Sequence, residues 1–167
     1  TDLDTEDIYS GIVGMESVRL GFLLAEMNGL RVCAADISSA YLYSKTRELR
    51  YIVAGPEFGE LEGQRLVIDK GLYGLRSSSA RFHEHLAGKL RKMGYTPSKA
   101  DPDLWIKRLP DGHFEYIASY VDDVISFSKD PMSVIEELKR DYMLKGVGEP
   151  EYYLGGNVDP LDTTWKA

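Results

Sequence analysis

Ile117-Ala118-Ser119-Tyr120-Val121-Asp122-Asp123-Val124-Ile125-Ser126-Phe127-Ser128 is a pair of apolar runs interrupted by two adjacent acids. Either run alone has the length and composition of a buried strand. Two carboxylates between them belong at the tight turn of a hairpin, and a polar turn is the plain explanation. The apolar flanks ask for more, because adjacent like charges set into an otherwise buried segment are costly unless a cation neutralises them. A third acid, Asp36, ends another short apolar segment that starts at Leu30 and reads as a buried strand. Two metal ions about 3.5–4 Å apart need carboxylates that can bridge from rigid supports, and strand tips supply them. Asp36, Asp122 and Asp123 are therefore the candidate catalytic and metal-ligating residues. For Asp36 the plainer alternative is a helix N-cap ahead of Ser38-Ser39-Ala40.

Outward from the hairpin, Pro110-Asp111-Gly112 predicts a turn between strands over Leu104–Leu109 and His113–Tyr120. Asp130-Pro131 supplies an N-cap and a first-turn proline for a helix with Val134, Ile135, Leu138 and Tyr142 on one face. Met15, Val18, Phe22 and Ala25 recur at steps of three and four before Asn28-Gly29, which predicts an amphipathic helix and its stop. Phe82, Leu86, Leu90 and Met93 predict another, ended by Gly94. Tyr51–Ala54 and Arg65–Ile68 read as strands around a Gly-Pro-Glu-Phe-Gly loop, and Tyr152–Val158 as a last strand. The hairpins are antiparallel, so the fold class is α+β, an antiparallel sheet with helices packed on one face.

The 167 residues, 43% apolar and 28% charged, are the composition of a globular domain with a core, and residues 1–167 read as a single domain. No apolar run has the length of a membrane span, no secretory leader opens the chain, and an intracellular protein is expected. Cys33 is alone, so it can form no internal disulfide, and it reads as a small core residue. His83, His85 and His113 read as surface or helix residues, the first two pointing apart on a helix. With 27 acidic and 20 basic side chains, the net charge of −7 has the wrong sign for a free-standing nucleic-acid binder. It suits a carboxylate site for cations whose basic surroundings lie elsewhere. Thr1 is no initiator and Ala167 follows a polar stretch, so a fragment is expected.

Five motifs occur in one order: Asp36-Ile37-Ser38-Ser39-Ala40-Tyr41-Leu42, Leu72-Tyr73-Gly74-Leu75-Arg76, Ser98-Lys99-Ala100-Asp101, Tyr120-Val121-Asp122-Asp123 and Tyr153-Leu154-Gly155. In that order and spacing the chain resembles copia-type retrotransposon reverse transcriptases from about Ser17 to Val158. The resemblance implies a palm with part of the fingers, with a ferredoxin-like or RRM-like core. It implies Asp36 and Asp122 as the main metal ligands, with Asp123 as the third acid, for two Mg²⁺ ions or Mn²⁺ in their place. The amides of Ser39 and Ala40 would face a nucleotide triphosphate, and Tyr41 would exclude a ribose 2′-hydroxyl. Tyr73, Gly74 and Arg76 would lie near template base and nucleotide, while Leu154, Gly155 and Gly156 would grip the primer.

For Tyr41 the alternative is a core tyrosine. For Tyr73-Gly74 it is a glycine turn into a helix, and for Gly155-Gly156 a bulge. The implied partners are an RNA or DNA template with its primer, deoxynucleoside triphosphates, and the fingers, thumb and RNase H regions of the parent polyprotein; no membrane is implied. Ser77-Ser78-Ser79 stands where the family commonly has Gln-Ala-Pro, a departure from the family pattern. Without basic fingers the isolated chain is expected to fold and to polymerise little or not at all. The rivals are a non-catalytic relic or nucleic-acid-binding module of the same fold, and a palm-type nucleotidyl cyclase. The cyclase reading lacks its Gly-Gly-Asp/Glu-Glu-Phe signature and leaves Tyr41 and Leu72–Leu75 unexplained.

Overall fold

The computed structural model describes residues 11–75, 77–153 and 156–157. They fall into two compact units, Ser39–Lys89 and a larger one that joins Gly11–Ser38 to the residues from Leu90 onward.

The larger unit opens with helix α1 (Met15–Asn28), which leads into strand β1 (Arg31–Ile37). The helix stops where Gly29 turns left-handed at φ 61°. There Leu30 N–H donates to Ala25 O at 2.8 Å and Gly29 N–H to Glu26 O at 3.4 Å, the paired bonds of a Schellman end. At its other end Gly14 has no side chain to cap the helix, and its N–H donates instead to Asp101 Oδ2 at 2.9 Å. Asp101 also accepts from Asp103 N–H at 3.0 Å. Burial pushes this carboxyl up, but hydrogen bonds from Ser17, Gly14 and Asp103 outweigh it and hold it below the usual range. The fourth residue of Ser98-Lys99-Ala100-Asp101 is thus a clasp on the start of α1.

The smaller unit carries strands β2 (Lys45–Val53) and β3 (Arg65–Lys70), which among the described residues pair only with each other, and helix α2 starts in it (Ser78–Lys92). Ala40–Tyr43 and Pro56–Leu61 are 3-10 turns before and after β2. In α2, Phe82, Leu86 and Leu90 are buried as their spacing predicts.

The larger unit continues with β4 (Thr96–Pro97), β5 (Leu104–Arg108), β6 (Phe114–Tyr120) and β7 (Asp123–Ser128). Helix α3 (Pro131–Lys139), strand β8 (Leu144–Gly148) and the short strands β9 (Tyr152–Tyr153) and β10 (Gly156–Asn157) follow. Six strands form one sheet in the order β4-β5-β6-β7-β1-β8, antiparallel at every step. The hairpin of β6 and β7 and the tip of β1 lie where the sequence predicts them. Of the single strand expected over Tyr152–Val158, the described residues form two short strands paired with each other, while Leu154, Gly155 and Val158 lie outside the described residues.

The expectation of helices on one face is corrected. Successive residues of a strand point to opposite faces, yet Val124 through Ser128 are all buried, so both faces of β7 are covered. On one side the Phe22 ring of α1 meets the edge of Phe127 at 5.3 Å between centroids. On the other, Cys33, paired with Ser126, brings its Sγ to 4.0 Å from Met132 Sδ of α3. Asp130 caps α3 by accepting from Ser133 N–H at 3.3 Å, and Pro131 occupies the first turn.

The packing of α1 depends on one missing side chain. A Cβ at Gly21 would stand 2.7 Å from Cε2 and Cζ of the fully buried Phe127. Gly21→Ala should cost about 1–3 kcal/mol for the forced shift, partly offset by about 1 kcal/mol of better helix propensity. A lower urea midpoint is expected, and an unchanged one would show that the ring can withdraw freely.

Candidate active site

Two backbone pairings bring the three acids together within the larger unit. Asp36, the sixth residue of β1, is the register partner of Asp123, the first residue of β7. Ile37 N–H donates to Asp122 O at 2.8 Å, which fastens the turn to the tip of β1. Tyr120 pairs with Asp123 and closes a two-residue turn of Val121 and Asp122. Val121 adopts φ 54°, a conformation that a β-branched side chain rarely takes and that costs roughly 1–2 kcal/mol. The ladder on both sides holds it there, and strain of this kind gathers where backbone geometry serves a site.

All three acids are half-buried. Burial first, then repulsion from Asp122 and Asp36, pushes the Asp123 carboxyl above its usual range. A raised folded value means that this carboxyl's contribution to stability is intact below the unfolded value near 3.8 and is lost as pH rises through the folded value. Asp123→Asn should therefore raise the melting temperature at neutral pH and leave it unchanged well below pH 3.8. Melting curves across that interval decide it, and a lower melting temperature at neutral pH would overturn the repulsion account.

Among the described residues no three His, Cys, Asp or Glu side chains form a ready metal-ligating group. Hard oxygen donors opposed on one strand pair nevertheless match magnesium. That ion is commonly held by one or two carboxylates together with substrate phosphates and waters, and seldom by an all-protein cage.

The remaining candidates divide. In the smaller unit Tyr41 and Tyr73 are brought together, ring centroids 4.5 Å apart, and Tyr41 also meets Phe82 edge-on at 6.4 Å. Tyr41 is half-buried and Tyr73 exposed. Ser39, at φ 53°, caps the 3-10 turn, so the Ser39 and Ala40 amides precede its first bond, from Leu42 N–H to Ser39 O at 2.9 Å. Gly74 takes φ 90° inside a turn closed by Leu75 N–H to Leu72 O at 3.2 Å, which is why a glycine stands there. Ser78 of the departing Ser77-Ser78-Ser79 accepts from Leu72 N–H at 3.0 Å and so braces this segment. Arg76, Leu154 and Gly155 lie outside the described residues, and of Gly156 only the strand is described.

Sequence reasoning missed Lys145, the register partner of Asp36 on β8, which puts a cation on the side of Asp36 away from Asp123. No signal pointed to it, because Leu-Lys-Gly-Val-Gly lacks the alternation of a strand. Missed too was Glu115, 5% exposed on β6. It accepts from the Tyr95 hydroxyl at 2.9 Å and the Ser128 hydroxyl at 2.8 Å, with Lys107 Nζ at 3.1 Å. Burial, reinforced by Glu115, drives the Tyr95 hydroxyl far above its usual range.

Residues 1–164 match the family model described as reverse transcriptase (RNA-dependent DNA polymerase). The chain belongs to this family. It is 26% identical over 162 residues to the retrovirus-related Pol polyprotein from transposon TNT 1-94 of Nicotiana tabacum, covering 93% of this chain and 12% of that protein. It is 30% identical over 128 residues to a putative transposon Ty5-1 protein of Saccharomyces cerevisiae, 74% of this chain and 41% of that one. With the transposon Ty1-BR Gag-Pol polyprotein of the same yeast it shares 32% over 171 aligned positions, 98% of this chain and 9% of the polyprotein. The copia-type resemblance carried by the five motifs therefore holds. The chain spans less than half of each of these relatives. No helix among the described residues is long and apolar enough to cross a membrane.

Proposed function

We propose that this chain is the palm, with part of the fingers, of an RNA-directed DNA polymerase encoded by a copia-type element, and that it acts as one segment of a Pol polyprotein inside the cell. The register that opposes Asp36 to Asp123 and fastens Asp122 to β1 carries the reading. It supports a site in which Asp36 and Asp123 on two adjacent strands and Asp122 in the turn offer the kind of oxygen donors that suit two Mg²⁺ ions, or Mn²⁺. When bound, such ions activate a primer 3′-hydroxyl and stabilise the pyrophosphate leaving group.

The side chains of this chain do the positioning. Asp36 and Asp122 are the principal ligands and Asp123 is the third acid. The Ser39 and Ala40 amides face the triphosphate, as amides at a strand-to-helix turn can. Tyr41, steadied by Tyr73 and Phe82, fills the space that a ribose 2′-hydroxyl would need. Tyr73, Gly74 and Arg76 contact nucleotide and template base, and Leu154, Gly155 and Gly156 hold the primer. The net charge of −7 repels a primer-template unless basic regions of the polyprotein offset it, so the isolated chain extends primers little.

Template-directed extension by the polyprotein's polymerase tests the reading, with Tyr41→Gly as the informative variant. Extension on an RNA template should persist while discrimination against ribonucleotides falls roughly tenfold or more, the size of a lost steric clash of about 1.4 kcal/mol. Unchanged sugar selectivity would remove Tyr41 from this role, and absence of templated extension by the wild type would remove the reading.

A further inference from the structure

Helix α1 is apolar on two sides. Val18, Phe22 and Ala25 turn toward the six-stranded sheet and pack into its core. Leu20, Leu23 and Met27 recur on the opposite side, and all three are exposed. Side chains three and four residues apart share one face of a helix, so these three make a continuous stripe. Single apolar side chains are ordinary on a surface, whereas a contiguous stripe marks an interface, and a helix apolar all round is one that is covered all round. The rim of the stripe carries Arg19 and Glu26, both exposed, seven residues apart and therefore on the same side of it.

We propose that this face of α1 binds the same face of a second copy of the chain, the two helices antiparallel about a two-fold axis. With Leu20 of one copy against the partner's Leu23, that register sets Arg19 opposite the partner's Glu26 and, by symmetry, Glu26 opposite the partner's Arg19. The stripe is thus self-complementary in charge as well as apolar, a property that a foreign partner would not require. A parallel pairing would instead carry each charge to the partner's other rim, where Ser17 and Leu24 offer none. The assignment does not depend on Asp36, Asp122 or Asp123 being metal ligands, and its test leaves them untouched.

Sedimentation equilibrium of the 167-residue chain, up to about 100 μM, should show a reversible monomer–dimer equilibrium. Leu23→Glu puts a charge from each copy at the centre of the contact and should weaken the dimer about 100-fold or more. Arg19→Glu and Glu26→Arg should each weaken it about tenfold, by making both rim pairs repulsive. An equimolar mixture of those two variants should associate as the wild type does, because every rim pair is then of opposite sign again. Leu49→Glu, an exposed apolar position on β2, should leave the equilibrium unchanged. Circular dichroism confirms folding of each variant. A wild type that stays monomeric throughout would overturn the proposal and leave the stripe to another segment of the polyprotein or to a different protein. An equal loss in Leu49→Glu would overturn it in favour of non-specific apolar association, and a mixture no stronger than its two components would do so by excluding the antiparallel register.

Discussion

Asp36→Asn and Asp122→Asn, introduced one at a time into the full-length polymerase, should each lower templated extension by about a thousandfold or more. The charge that an ion neutralises in transferring a phosphoryl group contributes several kcal/mol, and about 4 kcal/mol corresponds to that factor. The same substitutions remove a charge that repels the Asp123 carboxyl, so the folded chain should be as stable as before or slightly more so. Activity and melting temperature should then move independently, which a merely structural role could not produce. Extension above a tenth of the wild-type rate in either variant would show that the opposed carboxylates are not the ligand set.

The second large effect concerns Glu115, far from any chemistry. Its two oxygens take up the Tyr95 and Ser128 hydroxyls and the Lys107 ammonium in a buried position between β5, β6 and β7. Glu115→Ala leaves the Tyr95 hydroxyl without its acceptor, the Lys107 ammonium without its carboxylate, and the Ser128 oxygen with only the Asp130 N–H that it accepts at 3.1 Å. Breaking a buried pair from one side costs about 3–5 kcal/mol; Lys107 is 28% exposed and can turn to water, so about 3 kcal/mol is expected. For a domain of this size the melting temperature should fall by roughly 6–12 °C. Glu115→Gln, which keeps the shape and part of the bonding, should cost less. Equal losses from both would make the charge, and not the hydrogen bonds, the important element.

Where a periodic apolar face and a local stop signal coincide, the structure agrees with the sequence reading. Asn28-Gly29 after Met15, Val18, Phe22 and Ala25 gives α1 its end, and Asp130-Pro131 gives α3 its start. Elements held by partners elsewhere in the chain were not legible. Strand β8 is two-fifths glycine and exists because β1 offers it a ladder, and β2 begins at Lys45, well before the apolar Tyr51–Ala54, because β3 pairs with it. The burial of β7 agrees with the reading of Val124–Ser128 as a buried strand, but the partner that allows Ser128 to be buried, Glu115, comes from another strand and was not legible. At the candidate site the residue types were legible, whereas the pairing of Asp36 with Asp123, the flank of Lys145 and the left-handed Val121 depend on register and torsion.

The ribbon of β2 and β3 has a consequence for how the molecule breathes. Two strands bury too little to hold together alone in water, and here Leu49, Val53 and Val67 are 80%, 66% and 65% exposed. The six-stranded sheet, whose strand β7 is covered on both faces, sits at the other extreme. Opening of the ribbon should therefore take only a small part of the global unfolding free energy. The backbone amides of Ile52 and Leu66 would exchange their hydrogens for deuterium long before those of Cys33 and Phe127, and the chain would populate a half-open form with the carboxylate hairpin still in place.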